Sequence, residues 1–200
     1  MLILVTGALK VKVYIILAYP NKNGLCYAAF EKAKEGFEIV GHEIKVTDLY
    51  EERFDPVLVF DQEHKRHDMQ FDEETEVYRE NIKWADHLVF VFPIWWSGMP
   101  AILKGFTDRV LTTGFAYNFK GLMPIGYLKG KTAWIINTHD TPALYAALFR
   151  QDYGKILKRQ ILATCGVKTV EHTTLAFVRK SSPEKRENWL EKVFLIAQKS

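Results

Sequence analysis

Two hundred residues, 48% of them apolar, suffice for one well-buried core and argue, on size alone, against a second domain. The 27 basic and 24 acidic residues are interspersed and leave a net charge of +3, which argues against a nucleic-acid groove. Cys26 and Cys165 are too few and too isolated for a disulfide framework or a zinc site, so a reducing compartment, by default the cytoplasm, is expected.

Residues 1–10 form an apolar extension without a basic leader region, far shorter than the roughly 20 residues of a membrane span. No role is assigned to it, and a single domain is expected over residues 11–200. Residues 11–18, rich in β-branched and aromatic side chains, predict the first strand. Pro20-Asn21-Lys22-Asn23-Gly24 is turn chemistry, and Leu25, Ala29, Ala33, Phe37 and Val40 then recur at helical spacing until Gly41. The second strand is predicted over residues 43–48 with Ile44 and Val46 inward.

Residues 50–70 are polar and irregular and are read as a surface excursion. His64, His67 and the acids beside them read as surface charge, because a metal site needs converging ligands and a second shell. Helical spacing resumes over 72–85. A strand is expected over residues 87–92, of which 88–92 are a continuous apolar run that suits a central parallel strand covered on both faces. Pro93 ends it, and a helix is expected over 101–111. A fourth strand over 131–137, a long helix over 143–163, a fifth strand over 169–178 and a final helix opened by Pro183 complete the chain.

Five strands alternating with five helices predict a doubly wound parallel α/β sheet, whose ligands bind beyond the carboxyl ends of the strands. The loop from Tyr19 to Leu25 leads into a helix N-terminus, where free N–H groups suit a phosphate, although an ordinary connection fits as well. The adjacent Trp95 and Trp96 suit either the core or a flat ligand whose edge pairs with the backbone of Pro93 to Ser97. Asn137-Thr138-His139-Asp140-Thr141-Pro142 closes the fourth strand before a helix, so its N–H groups are candidates to face an anion. His139 fits a proton donor or a helix cap equally.

The segment FPIWWSGMPAILKGFTDRV, followed by GFAY, resembles the signature of the NAD(P)H:quinone oxidoreductases, a flavodoxin-like family. The strand-loop-helix start at 13–30, the loop at 137–145 and the Cys165-Gly166 pair extend the likeness over most of the chain. The resemblance implies a flavodoxin-like strand order of 2-1-3-4-5, with a switch point between strands one and three. It implies that Tyr19, Asn23, Leu25 and Cys26 hold a flavin's phosphate and ribityl chain, Cys26 standing where asparagine is frequent.

By the same resemblance Ile94, Trp95, Trp96 and Ser97 contact the flavin ring, and Asn137, Thr138, His139 and Asp140 face its N1–C2 edge. Tyr145 aligns with a tyrosine that assists hydride transfer, while Gln151 replaces the histidine that accompanies it in mammalian members. Tyr117 and Phe119 correspond to aromatics that reach over the partner's flavin, which implies a homodimer; without the family they are a local aromatic cluster.

The expected activity is ping-pong transfer of hydride from NAD(P)H to a quinone or related aromatic acceptor. FMN is favoured over FAD because the 54–71 excursion is short and shows no adenosine site. A flavodoxin-type electron carrier and an ancillary subunit of a potassium-efflux system are the alternatives. A receiver domain is excluded by Pro93, which stands where a phosphoacceptor would be acidic. The acceptor and the choice between NADH and NADPH stay open.

Overall fold

The computed structural model describes residues 10–63, 65–148 and 152–200. The expectations for residues 1–9, His64 and Gln151 fall outside them. The main sheet contains β1 (Lys12–Leu17), β2 (Glu43–Asp48), β3 (His87–Pro93), β6 (Thr132–His139) and β7 (Lys168–Ala176). All four neighbouring pairs are parallel, in the order β2-β1-β3-β6-β7. Counting these five strands alone, this is the 2-1-3-4-5 order implied by the resemblance.

The two faces are covered by different helices. On one, Val13, Ile15, Leu17, Val89, Val91, Trp134 and Ile136 meet α1 (Leu25–Ile39) and α5 (Pro183–Ala197) through Phe30, Phe37, Trp189 and Val193. On the other, Tyr14, Ile16, Leu88, Phe90, Phe92 and Ile135 meet α2 (Glu76–Trp84), α3 (Ala101–Val110) and a π-helix (Leu157–Leu162). Each large apolar side chain so buried contributes about 1.5–3 kcal/mol. Every residue of β3 is buried, as its unbroken apolar run requires of a central strand.

β2 departs from its pattern: Ile44 packs toward α1, but Val46 is exposed and Thr47 is buried instead. An edge strand has a neighbour on one side only, so the cover thins along it, and Thr47 turns in to accept a 2.8 Å hydrogen bond from the Tyr14 hydroxyl.

Glu73–Thr75 form a 3-10 turn before α2 rather than its first turn; Asp72 caps it by accepting from the Glu74 N–H, and the buried Arg79 guanidinium donates to the carbonyls of Met69 and Asp72. The excursion is less loose than its polarity suggests: Arg66–Phe71 is a 3-10 helix, Met69 is buried, and Phe54 packs against Tyr78 and Phe106 at 5.3 and 5.6 Å.

Two further corrections concern the second half. A hairpin of β4 (Tyr117–Lys120) and β5 (Met123–Gly126) was not legible as strands, since its residues are mostly exposed and too few to show alternation. The single long helix over 143–163 is interrupted. α4 spans Ala143–Leu148, while Tyr153 and Gly154, at φ 44° and 88°, take left-handed conformations that no helix accommodates.

Candidate functional site

The switch point lies between β1 and β3, whose following helices α1 and α3 cover opposite faces. Their loops diverge there and leave a cleft of about 320 Å³ at the carboxyl ends of the strands. Tyr19, Leu25 and Cys26 line it from the first loop, Pro93, Ile94 and Trp95 from the second, and Thr138, His139 and Asp140 from the end of β6. Val178 and Arg179 close it from beyond β7.

At the α1 end, Gly24 is the N-cap, no side chain caps the helix, and no acid stands in its first turn. The positive end of the dipole and the first-turn amides are therefore left for an anion. Tyr19 stands beside them, its hydroxyl pKa raised by burial. Cys26 is buried, and burial pushes its thiol up to about 12 against a side-chain hydrogen bond with Thr138. It is a neutral thiol that ties α1 to β6, not an anionic ligand. Asn23 sits exposed, its N–H turned back onto Asn21 Oδ1 at 3.0 Å.

The tryptophan loop is a tight turn closed by two backbone hydrogen bonds between Trp95 and Gly98, at 2.9 and 3.0 Å. Its central residues, Trp96 and Ser97, have φ of 49° and 64°. This geometry turns neither tryptophan into the core. Trp95 is 42% exposed and walls the cleft, whereas Trp96 projects fully into solvent. The loop is fixed to the sheet by Ile94, whose N–H donates to the Thr138 carbonyl at 2.8 Å.

His139 is buried on the cleft wall and its Nδ1 has no protein partner. Burial lowers its pKa, with the Thr141 backbone and Asp140 acting in the opposite direction. The imidazole is thus held neutral, a hydrogen-bonding group rather than a charge. Its ring lies 4.4 Å from that of Tyr153. Asp140 is engaged by Arg179, whose N–H and Nε lie 2.8 and 2.9 Å from its carboxylate.

Seven predicted residues are not among those lining this cleft: Asn23, Trp96 and Ser97 on its loops, and Asn137, Tyr145, Tyr117 and Phe119. Asn137 is buried beneath it, its amide committed to Tyr153 and His172. Tyr145 is 48% exposed on α4 and is not among the lining residues. Tyr117 and Phe119 stack edge to face on the hairpin, 5.7 Å apart, away from the cleft of their own chain. Val178, Arg179 and Tyr153 were missed. Only Tyr153 carried a signal, in the glycine that follows it inside an otherwise helical stretch.

A profile described as flavodoxin-like fold matches residues 11–194. The chain belongs to that flavodoxin-like family. It is 33% identical over 150 residues to NAD(P)H dehydrogenase (quinone) 1 of Cavia porcellus, an alignment covering 66% of this chain and 54% of that protein. The chain therefore spans about half the length of this relative. The crystal structure of Smu.1420 from Streptococcus mutans UA159 superposes with a TM-score of 0.90 at 46% identity, covering 94% of this chain and 100% of the other.

An NAD(P)H:quinone oxidoreductase from Methanothermobacter marburgensis follows at 0.82 and 26%, covering 94% and 96%. The fold alone is shared with an FMN-dependent NADH-azoreductase from Bacillus anthracis str. Ames Ancestor in complex with FMN, at 0.77 and 18%, covering 94% and 98%. The expected likeness of the chain to the NAD(P)H:quinone oxidoreductases is borne out by these matches. Among the described residues no helix is long and apolar enough to cross a membrane, and no cluster of metal-binding side chains occurs.

Proposed function

We propose that this chain is a flavin-dependent NAD(P)H oxidoreductase that uses FMN and delivers hydride to a quinone or related aromatic acceptor. The observation that carries this reading is one cleft joining an uncapped α1 N-terminus to an aromatic wall and to the unpartnered Nδ1 of a buried neutral histidine. Those groups fit the phosphate, the ring face and the ring edge of a flavin in turn. When bound, FMN supplies the two-electron chemistry itself, taking hydride from the nicotinamide and yielding it to the acceptor.

The first-turn amides at Leu25 and Cys26 hold the phosphate, and Tyr19 covers it. Ile94 and Trp95 lie along the ring, with the backbone of Pro93 to Ser97 at its edge. Thr138, His139 and Asp140 form the facing border. His139 carries no positive charge, so it meets the ring edge as a hydrogen-bonding group rather than as a cation. The open side admits nicotinamide and acceptor in succession, which gives ping-pong kinetics.

The hairpin presents Tyr117 and Phe119 beside the exposed Leu122 and Met123, and these aromatics wall the cleft of a second copy in a homodimer. Tyr145, exposed on α4, acts in hydride transfer. Both cysteines are free thiols, which suits a cytoplasmic enzyme.

Anaerobic stopped-flow absorbance tests the reading. FMN-loaded protein mixed with NADPH, or with NADH, is expected to lose its flavin band rapidly and to recover it on addition of menadione. Bound flavin that neither nucleotide bleaches would overturn it in favour of a carrier or an ancillary subunit. Tyr145→Phe is expected to slow the bleaching phase, and an unchanged rate removes Tyr145 from the transfer step.

A further inference from the structure

Asn137 lies fully buried on β6, and its Nδ2 has two neighbours. It donates to the Tyr153 carbonyl at 3.1 Å and lies 2.9 Å from Nε2 of His172 on β7. The carbonyl can only accept, which fixes which end of the amide faces it. An amide nitrogen can only donate, so His172 Nε2 must be an unprotonated acceptor and the ring proton must sit on Nδ1. Asn137 Oδ1 is left buried without a partner.

Tyr153 passes this arrangement on to the cleft. Its N–H donates to the Ser97 carbonyl at 3.2 Å, and its ring lies against His139. It does so in a left-handed conformation that an L-residue adopts only when its surroundings hold it there. The space around the amide is closed: a Cβ on Gly154 would lie 3.0 Å from Asn137 Nδ2 and 3.3 Å from His172 Nε2. A protonated Nε2–H would therefore oppose the Asn137 N–H at close range. The amide can answer only by turning its unpartnered Oδ1 toward the imidazolium, which breaks its bond to Tyr153.

Groups from two segments face His172. Burial is the main influence that lowers its pKa, Lys158 and Lys155 add to it, and Glu171 on its own strand and Asp152 oppose it. The neutral ring is the resting form, and acid reverses it.

We propose that Asn137 and His172 are positioning residues: neutral His172 lets Asn137 hold Tyr153, and through it Ser97 and His139, while the imidazolium releases them. The first readout below is independent of the cofactor; the second rests on the cleft being a flavin site.

The test is a pH titration by 1H–15N NMR, from about pH 8 to about pH 5, of the protein without added flavin. The backbone amides of Tyr153 and Ser97 are expected to move with the midpoint of the His172 imidazole, whose nitrogen shifts at the alkaline end report the Nδ1–H tautomer. In His172→Gln, whose Oε1 accepts from Asn137 at every pH, both amides should lose the step at the His172 midpoint. An Nε2–H tautomer, or amides that ignore the His172 midpoint, overturns the proposal without needing any variant to fold.

The FMN dissociation constant should then rise on acidification about threefold to tenfold more in the wild type than in His172→Gln, the weight of one net hydrogen bond, the variant reporting the titration of the FMN phosphate itself. Amides that titrate beside an FMN affinity whose pH dependence is the same in wild type and His172→Gln overturn the link to the cleft. Failure to bind FMN at any pH overturns the proposed function and leaves the NMR result to decide this one.

Discussion

Trp96 and Ser97 occupy the centre of a two-residue turn that places both in the left-handed region, where an L-residue lies about 1–2 kcal/mol above its right-handed conformation. Asn-Gly is the ordinary choice there, and neither residue of this turn is a glycine. Ser97→Gly is therefore expected to stabilise the protein by about 0.5–1 kcal/mol, after the extra chain entropy of glycine is subtracted, as read from the urea midpoint. A loss of stability would show that the Ser97 side chain holds the turn. The strain has a structural use, since the same turn presents Trp95 to the cleft and the Ser97 carbonyl to Tyr153.

At the scale of elements, α3 couples the tryptophan loop to the 54–71 excursion. Gly105 lies so close to Pro56 that a Cβ would fall 2.3 Å from its carbonyl oxygen and 2.4 Å from its Cα. Arg109, one turn on and buried, donates to the Asp55 carbonyl and pairs with Asp72 and Glu74 at 3.0 and 2.7 Å. Backbone cannot yield as a flexible side chain can, so Gly105→Ala is expected to destabilise by about 1–3 kcal/mol in chemical denaturation. A neutral result would mean that the excursion moves freely on α3. The sequence showed α3 and showed the excursion's polarity. It could not show the contact, because a glycine on a helix face and a distant proline carry no shared pattern.

At the scale of the whole molecule, His87 sits near the end of the sheet opposite the cleft. It is 4% exposed, its Nδ1 is 2.7 Å from Thr132 Oγ1, and its Nε2 has no partner. Burial, with a smaller contribution from His42, lowers its pKa to about 4. The unfolded chain takes up this proton first as pH falls, so stability is complete above the ordinary histidine pKa of about 6.5. It declines from there down to the folded value, by on the order of 3 kcal/mol at most. Urea midpoints measured across this range should fall with pH, and His87→Gln should flatten the slope. His139 and His172, whose pKa values are also lowered, contribute in the same direction and leave a residual slope. An unchanged slope in His87→Gln would mean that His87 does not titrate differently on folding.

The sequence by itself determined the five strands of the main sheet, most of the helices, the doubly wound class and the two loops that flank the cleft. Those features depend on local chemistry: an apolar run in β3, helical spacing in α1, and turn residues placed directly after a strand. Tertiary structure alone decided which side chains of the loops face the cleft. Trp95 and Trp96 are chemically identical, and only the left-handed turn separates a cleft wall from an exposed ring. Asn137 reads as a cleft residue on the chain and becomes a buried support, because Tyr153 and His172 reach it from 16 and 35 residues away. Contacts at such separations leave no periodic trace, since each is fixed by the packing of elements whose own patterns are complete without it.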